Sequence, residues 1–389
     1  MISMKPRINM EYYNAHNERV KKLLQPFFEV RRTSIGTQRN YVSNTLLLER
    51  VIGKTMNEML TIAKSENSLN WNDTQLKQWL TIFRNYCYDT YKEGTVKTRM
   101  MQTKAVFKHH QIYIGPLEYV STKQVRKSEE IDYEDLPNRE VLKKCINLKN
   151  PLLKAMTLFM SSTGLNKIDT WNLTIQDYLN ATYEYHETND IQLAIKLMDK
   201  SEVSIVPTFK LRRVKTGETY RTFASPESVS AINLYLLTRL DPKPSDRLFD
   251  VSYRHINDMF SNANDILNLG SVNGIRRFTP VMLRKYHATQ LAEAGMNDSH
   301  IDLLQGRKPQ SIARKSYIRV KRSKLKEEYI RCLPYLVVDD FEEVKTELDV
   351  VKTELQHKTD EYNELQSSIE DIYSELNDIR KRQDIWDKI

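Results

Sequence analysis

Pro280-Val281-Met282-Leu283-Arg284-Lys285-Tyr286-His287-Ala288-Thr289 and, downstream, Leu303-Leu304-Gln305-Gly306-Arg307 are the stretches on which the reading of this chain turns. Tyr317 stands ten residues after Arg307. Two further stretches come before them. The first is Ser161-Ser162-Thr163-Gly164-Leu165-Asn166-Lys167-Ile168, followed by Trp171-Asn172-Leu173-Thr174. The second is Lys215-Thr216-Gly217, followed by Arg221-Thr222-Phe223. Taken singly, a Thr-Gly-Leu triplet, a Leu-Arg pair or a late tyrosine is common in unrelated proteins. Four such stretches in this order, with a lysine on a turn and a tyrosine at the end, form an informative set.

The segments around them read mostly as helix. Residues 37–51, 74–91 and 95–110 space their apolar side chains at helical intervals. The last of these carries Lys97, Arg99, Lys104 and Lys108, a basic face that suits DNA contact or plain solvation. Residues 120–138 are polar, charged and end near a proline, a linker pattern. From Arg139 the chain resumes helices over 139–147 and 151–161. Next come 191–198 and 202–210, the latter with Val203, Ile205 and Phe209 alternating; then a turn at 215–218 and Tyr220-Arg221-Thr222-Phe223. That pattern predicts a β-hairpin or a three-stranded sheet.

The end of the chain is a heptad array. Phe341, Val344, Leu348, Val351, Leu355, Lys358, Tyr362, Leu365, Ile369, Ile372, Leu376 and Ile379 alternate spacings of three and four. Such a period predicts a self-associating coiled coil, or one long amphipathic helix folded on the protein's own body. The polar Lys358 in that series would select register.

Composition narrows the class. The 389 residues hold 59 Lys+Arg against 51 Asp+Glu, a formal net charge of +8 and a pI near 9.0. Residues 339–349 are acid-rich, so the remainder is more basic than the total implies. A polyanionic partner fits this balance. Cys87, Cys145 and Cys332 lie far apart, which argues against a disulfide framework or a zinc signature and fits the cytosol. The opening MISMKPRINM lacks the apolar run of a signal peptide. No apolar stretch approaches the roughly 18–20 residues needed to cross a bilayer. The chain has no Gly-rich phosphate loop, HExxH or Gly-x-Ser-x-Gly, which weakens an ATPase, a metallonuclease or a serine hydrolase.

The ordered motifs resemble the catalytic domain of tyrosine recombinases, especially the divergent integrases of archaea and their viruses. The resemblance implies a mainly α fold with a small β-sheet in an α+β catalytic domain. It implies a helical core-binding domain over 1–125 and a catalytic domain over 132–336. The coiled-coil tail over 338–389 rests on its heptads alone. The implied function is site-specific DNA recombination or integration, strands being cut and rejoined through a 3′-phosphotyrosine. The implied partners are double-stranded DNA and further copies of the chain, dimer or tetramer, on paired sites, with no membrane and no metal or other cofactor, in the host cytoplasm. Arginine forks match phosphate geometry, a lysine can protonate the leaving oxygen, and covalent storage of the bond permits rejoining.

Carried over residue by residue, Tyr317 is the nucleophile, Arg284 the phosphate-binding arginine and Lys215 the general acid. Lys97, Arg99, Lys104, Lys108 and Arg221 are candidate DNA contacts. Three positions depart from the family pattern. Asn166 stands where the first arginine is expected, Val281 where a histidine is expected, and Arg307 where a later histidine or tryptophan is expected. Two readings follow. In one, Arg307 and Lys167 take over phosphate binding and the enzyme is active. In the other, the chain is a weakened or inactive relative that still binds DNA as a dimer.

Overall fold

Ser34, Thr55 and Thr74 begin three of the N-terminal helices. Each accepts a backbone N–H with its side-chain oxygen, from Thr37, Glu58 and Lys77 respectively. At Thr55 the Glu58 carboxylate returns the bond, completing a capping box. The helices so defined are α2 (Ile35–Ile52), α3 (Met56–Ser65) and α4 (Gln75–Thr90), preceded by α1 (Met10–Arg31) and followed by α5 (Glu93–His109). In the computed structural model, residues 10–120, 132–214, 216–272, 274–307 and 322–338 are described. The chain divides into two compact units, Met1–Glu130 and Ile131–Ile389.

The first unit packs α1, α2, α4 and α5 around Leu24, Phe27, Leu46, Leu80, Phe83 and Phe107, all nearly or wholly removed from solvent. Glu49 on α2 is buried, binds Arg19 of α1 at 2.6 Å and accepts the Met56 N–H at 2.7 Å. One carboxylate therefore joins three helices.

The second unit contains α6 (Arg139–Ile146), α7 (Pro151–Thr163), α8 (Lys167–Asn172), α9 (Ile175–Thr182) and α10 (Ile191–Asp199). After a hairpin of β1 (Thr208–Arg212) and β2 (Thr219–Phe223) come α11 (Pro226–Leu237) and α12 (Tyr253–Ile266). A two-residue hairpin, β3 (Ser271–Val272) with β4 (Ile275–Arg276), leads to α13 (Pro280–Glu293), α14 (Asp298–Leu304) and α15 (Arg322–Leu336). The expected mainly helical architecture with a small sheet is what the described residues adopt.

Among the described residues the β1–β2 sheet is a hairpin, with no third strand. Residues 191–198 form a helix because the buried set is Ile191, Ala194, Ile195 and Met198, the spacing of one helical face. Asp190 caps it by accepting the Leu193 N–H at 2.7 Å. The first strand also starts later than the alternation of Val203 and Ile205 implies. Pro207 has no N–H to give to a ladder, and pairing begins beside it, at Thr208↔Phe223.

Helix α7 is the axis of the second unit. It packs against α6, α11 and α13, and Leu158, Phe159 and Met160 are wholly buried. Full burial contributes roughly 1.5–3 kcal/mol for each such side chain. The Tyr317 and Lys215 assignments and the heptad tail lie outside the described residues. No helix among the described residues is long and apolar enough to cross a membrane.

A guanidinium cluster at the end of α7

An α-helix leaves its last carbonyls without intrahelical partners. At the end of α7, three consecutive carbonyls are each taken by a donor from a different element. Tyr329 of α15 donates its hydroxyl to Ser162 O at 2.9 Å. Thr222 of β2 donates to Thr163 O at 2.7 Å, and Arg284 of α13 donates Nη1 to Gly164 O at 2.5 Å. A cation at a helix C-terminus also meets the negative end of the helix dipole. Gly164 is the only residue type that fits there without strain. Its φ is +64°, and a Cβ would come within 2.5 Å of the His287 ring.

Arg284 is seated a second time. Its Nη2 donates to Gln305 O at 2.7 Å, while Gln305 Nε2 donates back to Arg284 O at 2.9 Å. The same Nε2 donates to His287 Nδ1 at 3.0 Å, which places the imidazole proton on Nε2. His287 and Gln305 are both fully buried. Burial, with Arg284 and Arg307 nearby, pushes the histidine down to about 3, so the ring is neutral at pH 7. Burial, followed by the neighbouring Arg307, likewise pushes Arg284 down to about 10, and Arg213 adds to this.

A second buried network lies under the hairpin. Asn166 caps α8 by accepting the Asp169 N–H at 2.9 Å and gives its own amide to Asp169 Oδ2 at 2.7 Å. Asp169 also accepts from Tyr220 Oη at 3.1 Å and from Val214 N at 3.1 Å. The residue that stands where an arginine is expected is thus a helix cap. It orients a carboxylate that ties α8 to the turn between β1 and β2. Burial and Asp169 together push the Tyr220 phenol up. The Tyr220 ring lies against Gly306, whose φ is +62° and whose Cβ would meet that ring at 2.8 Å.

The described site residues expected from sequence fall in four places. Arg284 and Arg307 come together; Arg307 is half-exposed and sits 3.7 Å from Asp302. Lys167 spends its ammonium on α12, donating to Asn257 Oδ1 at 3.0 Å and lying 3.6 Å from the Tyr253 ring centre. Partial burial lowers its pKa from the usual lysine value. Arg221 lies on β2 directly across from Lys210.

On α5, Lys97 pairs with Glu93 at 2.7 Å. Arg99 is folded over the Tyr91 ring and donates to Asn44 Oδ1 at 3.1 Å. Lys104 is half-buried with its pKa lowered, by burial first and then by Lys108, and Lys108 is exposed.

The sequence reading assigned no role to Arg213, Asp169, His287 or Gln305. Arg213 Nη1 donates to Gly306 O at 2.7 Å. Its signal was available: Phe209, Leu211 and Arg213 alternate on one side of β1 and its extension. Among the described residues no group of three His, Cys, Asp or Glu side chains is placed to hold a metal.

Residues 231–335 match the family model for archaeal phage integrases, a span that holds Arg284, Gln305, Gly306 and Arg307. That span of the chain is therefore similar to the archaeal phage integrase domain. No curated protein sequence matches the chain significantly. Among solved structures, a lambda integrase dimer bound to a COC′ core site is 15% identical, with 79% of this chain and 98% of that chain covered and a TM-score of 0.49. A XerH site-specific recombinase bound to difH substrate is 13% identical over 84% of this chain and 90% of that one, with a TM-score of 0.48. An integrase from mycobacterium phage Brujita is 11% identical over 86% and 99%, with a TM-score of 0.35.

Proposed function

We propose that this chain, similar over residues 231–335 to the archaeal phage integrase domain, is a site-specific DNA recombinase that cuts and rejoins strands through a covalent 3′-phosphotyrosine. The observation that carries the reading is Arg284. Its guanidinium is fixed on two neutral carbonyls, Gly164 O and, inside the matched span, Gln305 O, with Arg307 beside it. Preorganised donors of this kind act on charge that builds on phosphoryl oxygens in the transition state.

In this reading the Tyr317 oxygen attacks the scissile phosphorus and its phenolic proton passes to water. The bond from tyrosine oxygen to phosphorus forms as the bond from phosphorus to the 5′ oxygen breaks. Lys215 gives a proton to the departing 5′ oxygen, leaving a free hydroxyl. The bond energy is kept in the phosphotyrosine, so a second 5′-hydroxyl can reverse the step on a new partner strand. Asp169 holds Val214, the residue before Lys215 in the chain, through its N–H, and also accepts from Tyr220 Oη. Lys167 is a poorer candidate for the attacked phosphate, because Asn257 and Tyr253 already engage its ammonium.

The remaining assignments follow from the same reading. Residues 1–125 act as a core-binding domain, 132–336 as the catalytic domain, and the heptads of 338–389 as the assembly element for protomers on paired double-stranded sites. The hairpin, with Lys210 opposite Arg221, presents like charges that a phosphate backbone would relieve. The work is done in the host cytoplasm, at the nucleoid, on viral or other mobile DNA.

The test is covalent trapping on nicked duplexes cut from the genomic DNA that flanks the coding sequence, wild type beside Tyr317→Phe. A protein–DNA band on denaturing gels in wild type alone is the expected result. A band in both moves the nucleophile elsewhere. Salt-sensitive DNA binding with no band in either makes the chain a DNA-binding relative that does not cut.

A further inference from the structure

Arg213 leaves the hairpin on the side of Phe209 and Leu211, the side that faces the core. Its Nη1 is held by Gly306 O at 2.7 Å, but its buried Nε and its Nη2 have no hydrogen-bond partner among the described residues. Arg284 hangs from the preceding carbonyl, that of Gln305, at 2.7 Å. Successive carbonyls of one turn therefore seat two guanidiniums, Arg284 and Arg213, each near enough to be felt by the Tyr220 phenol of β2. The carboxylate that reaches Arg284, Asp169, already accepts from Asn166, Val214 and Tyr220. Arg307 adds a third positive charge, partly offset by Asp302. Like charges held together on neutral carbonyls, with donors left over, describe a seat for an anion.

We propose that Arg213 is a catalytic residue. With Arg284 it binds the non-bridging oxygens of the attacked phosphodiester and supplies the guanidinium that the α8 cap, Asn166, does not. The proposal rests on the strand-cleaving reading above. Arg213 forms no bond and gives up no proton. It offsets the negative charge that grows on those oxygens while the tyrosine oxygen bonds to phosphorus and the 5′ oxygen departs. It lies outside the span matched by the integrase model, which begins at residue 231.

The experiment uses the full chain and the flanking-DNA segment that wild type attacks, remade in two versions. One carries an ordinary phosphodiester at the scissile position, the other an uncharged methylphosphonate. A guanidinium that works by neutralising phosphate charge is dispensable on the second. Arg213→Ala is expected to lower adduct formation about 100-fold or more on the phosphodiester, and to differ from wild type by less than about 3-fold on the methylphosphonate. Arg213→Lys, which keeps the charge and one donor to Gly306, is expected to fall between them on the phosphodiester. It also serves in place of Arg213→Ala should that variant not fold. An equal loss on both substrates would overturn the proposal and leave Arg213 as a prop for the Gly306 turn. Undiminished adduct on both would make it a bystander. No adduct by wild type on any flanking segment would overturn the cleavage reading itself, and this proposal with it.

Discussion

On α5, Lys97 is 72% exposed and paired with Glu93 one turn away, and Arg99 is folded onto Tyr91 and Asn44. Around the Gln305–Gly306 turn, Arg284 and Arg213 are held by backbone carbonyls, which fix position but cancel no charge. Both regions are basic in sequence, yet they are prepared for different tasks. The α5 cations are solvated or already paired, and suit graded, salt-sensitive contact with a DNA backbone. The turn cations are desolvated and oriented, and suit a single phosphate at which charge develops.

The sharpest way to break this contrast is at Arg284. Arg284→Ala is expected to lower adduct formation by about 100–1000-fold while leaving DNA affinity within a few-fold, as read by trapping and by filter binding on the same duplex. Gln305→Leu removes the amide that donates to Arg284 O and His287 Nδ1, and is expected to cost roughly 10–100-fold in the same assay through misplacement of the guanidinium. Loss of DNA affinity in step with cleavage would erase the distinction between the two regions.

A second test uses acid. The folded His287 sits near 3 and an unfolded histidine near 6.5. Above pH 6.5 both states hold the ring neutral and the group adds no slope. Below it the unfolded chain takes up a proton that the folded chain refuses, so stability falls as pH drops from about 6.5 towards 3, by up to about 1.4 kcal/mol per unit. Urea midpoints against pH should show that slope in wild type and a flatter one in His287→Leu. Equal slopes would place the acid sensitivity elsewhere.

The smallest effects belong to α5. Lys108→Glu is expected to weaken DNA binding a few-fold and lower the salt slope by about 1, as for one phosphate contact. Arg99→Ala should instead cost about 1–3 kcal/mol of stability, because it leaves the buried Asn44 Oδ1 unpaired. A salt slope that responded to Arg99 and not to Lys108 would reverse the assignment of that face.

Helical periodicity placed α2, α4, α5, α6 and α7 within a few residues; all but α5, whose N-cap is Lys92, begin at a side chain that accepts a backbone N–H. It left 191–198 undecided, since a short run of Ile, Leu, Ala and Met suits either period, and Asp190 decides as a cap. It carried the first strand too far back, past Pro207. At the site, the motif order brought Arg284, Gly306 and Arg307 into view, since arginines and glycines at fixed spacing are visible in a string. What stayed hidden depends on tertiary neighbours. Gln305 carries no assigned role in the string until Arg284 and His287 are seen to close on it. Asn166 reads as a missing arginine until α8 is seen to begin there. Arg213 reads as one more basic residue until Gly306, ninety-three positions later, receives its Nη1.

The three carbonyls at the end of α7 are claimed by residues 222, 284 and 329, drawn from β2, α13 and α15. Contacts of such long sequence separation form late, after loop-closure entropy has been overcome. During synthesis, then, Arg284 has only one of its two carbonyls until Gln305 has been made, and α7 is not fully tied down until Tyr329 has left the ribosome. A chain arrested short of α15 leaves the Ser162 carbonyl without its Tyr329 donor, so the end of α7 is the last part of this unit to be fully held.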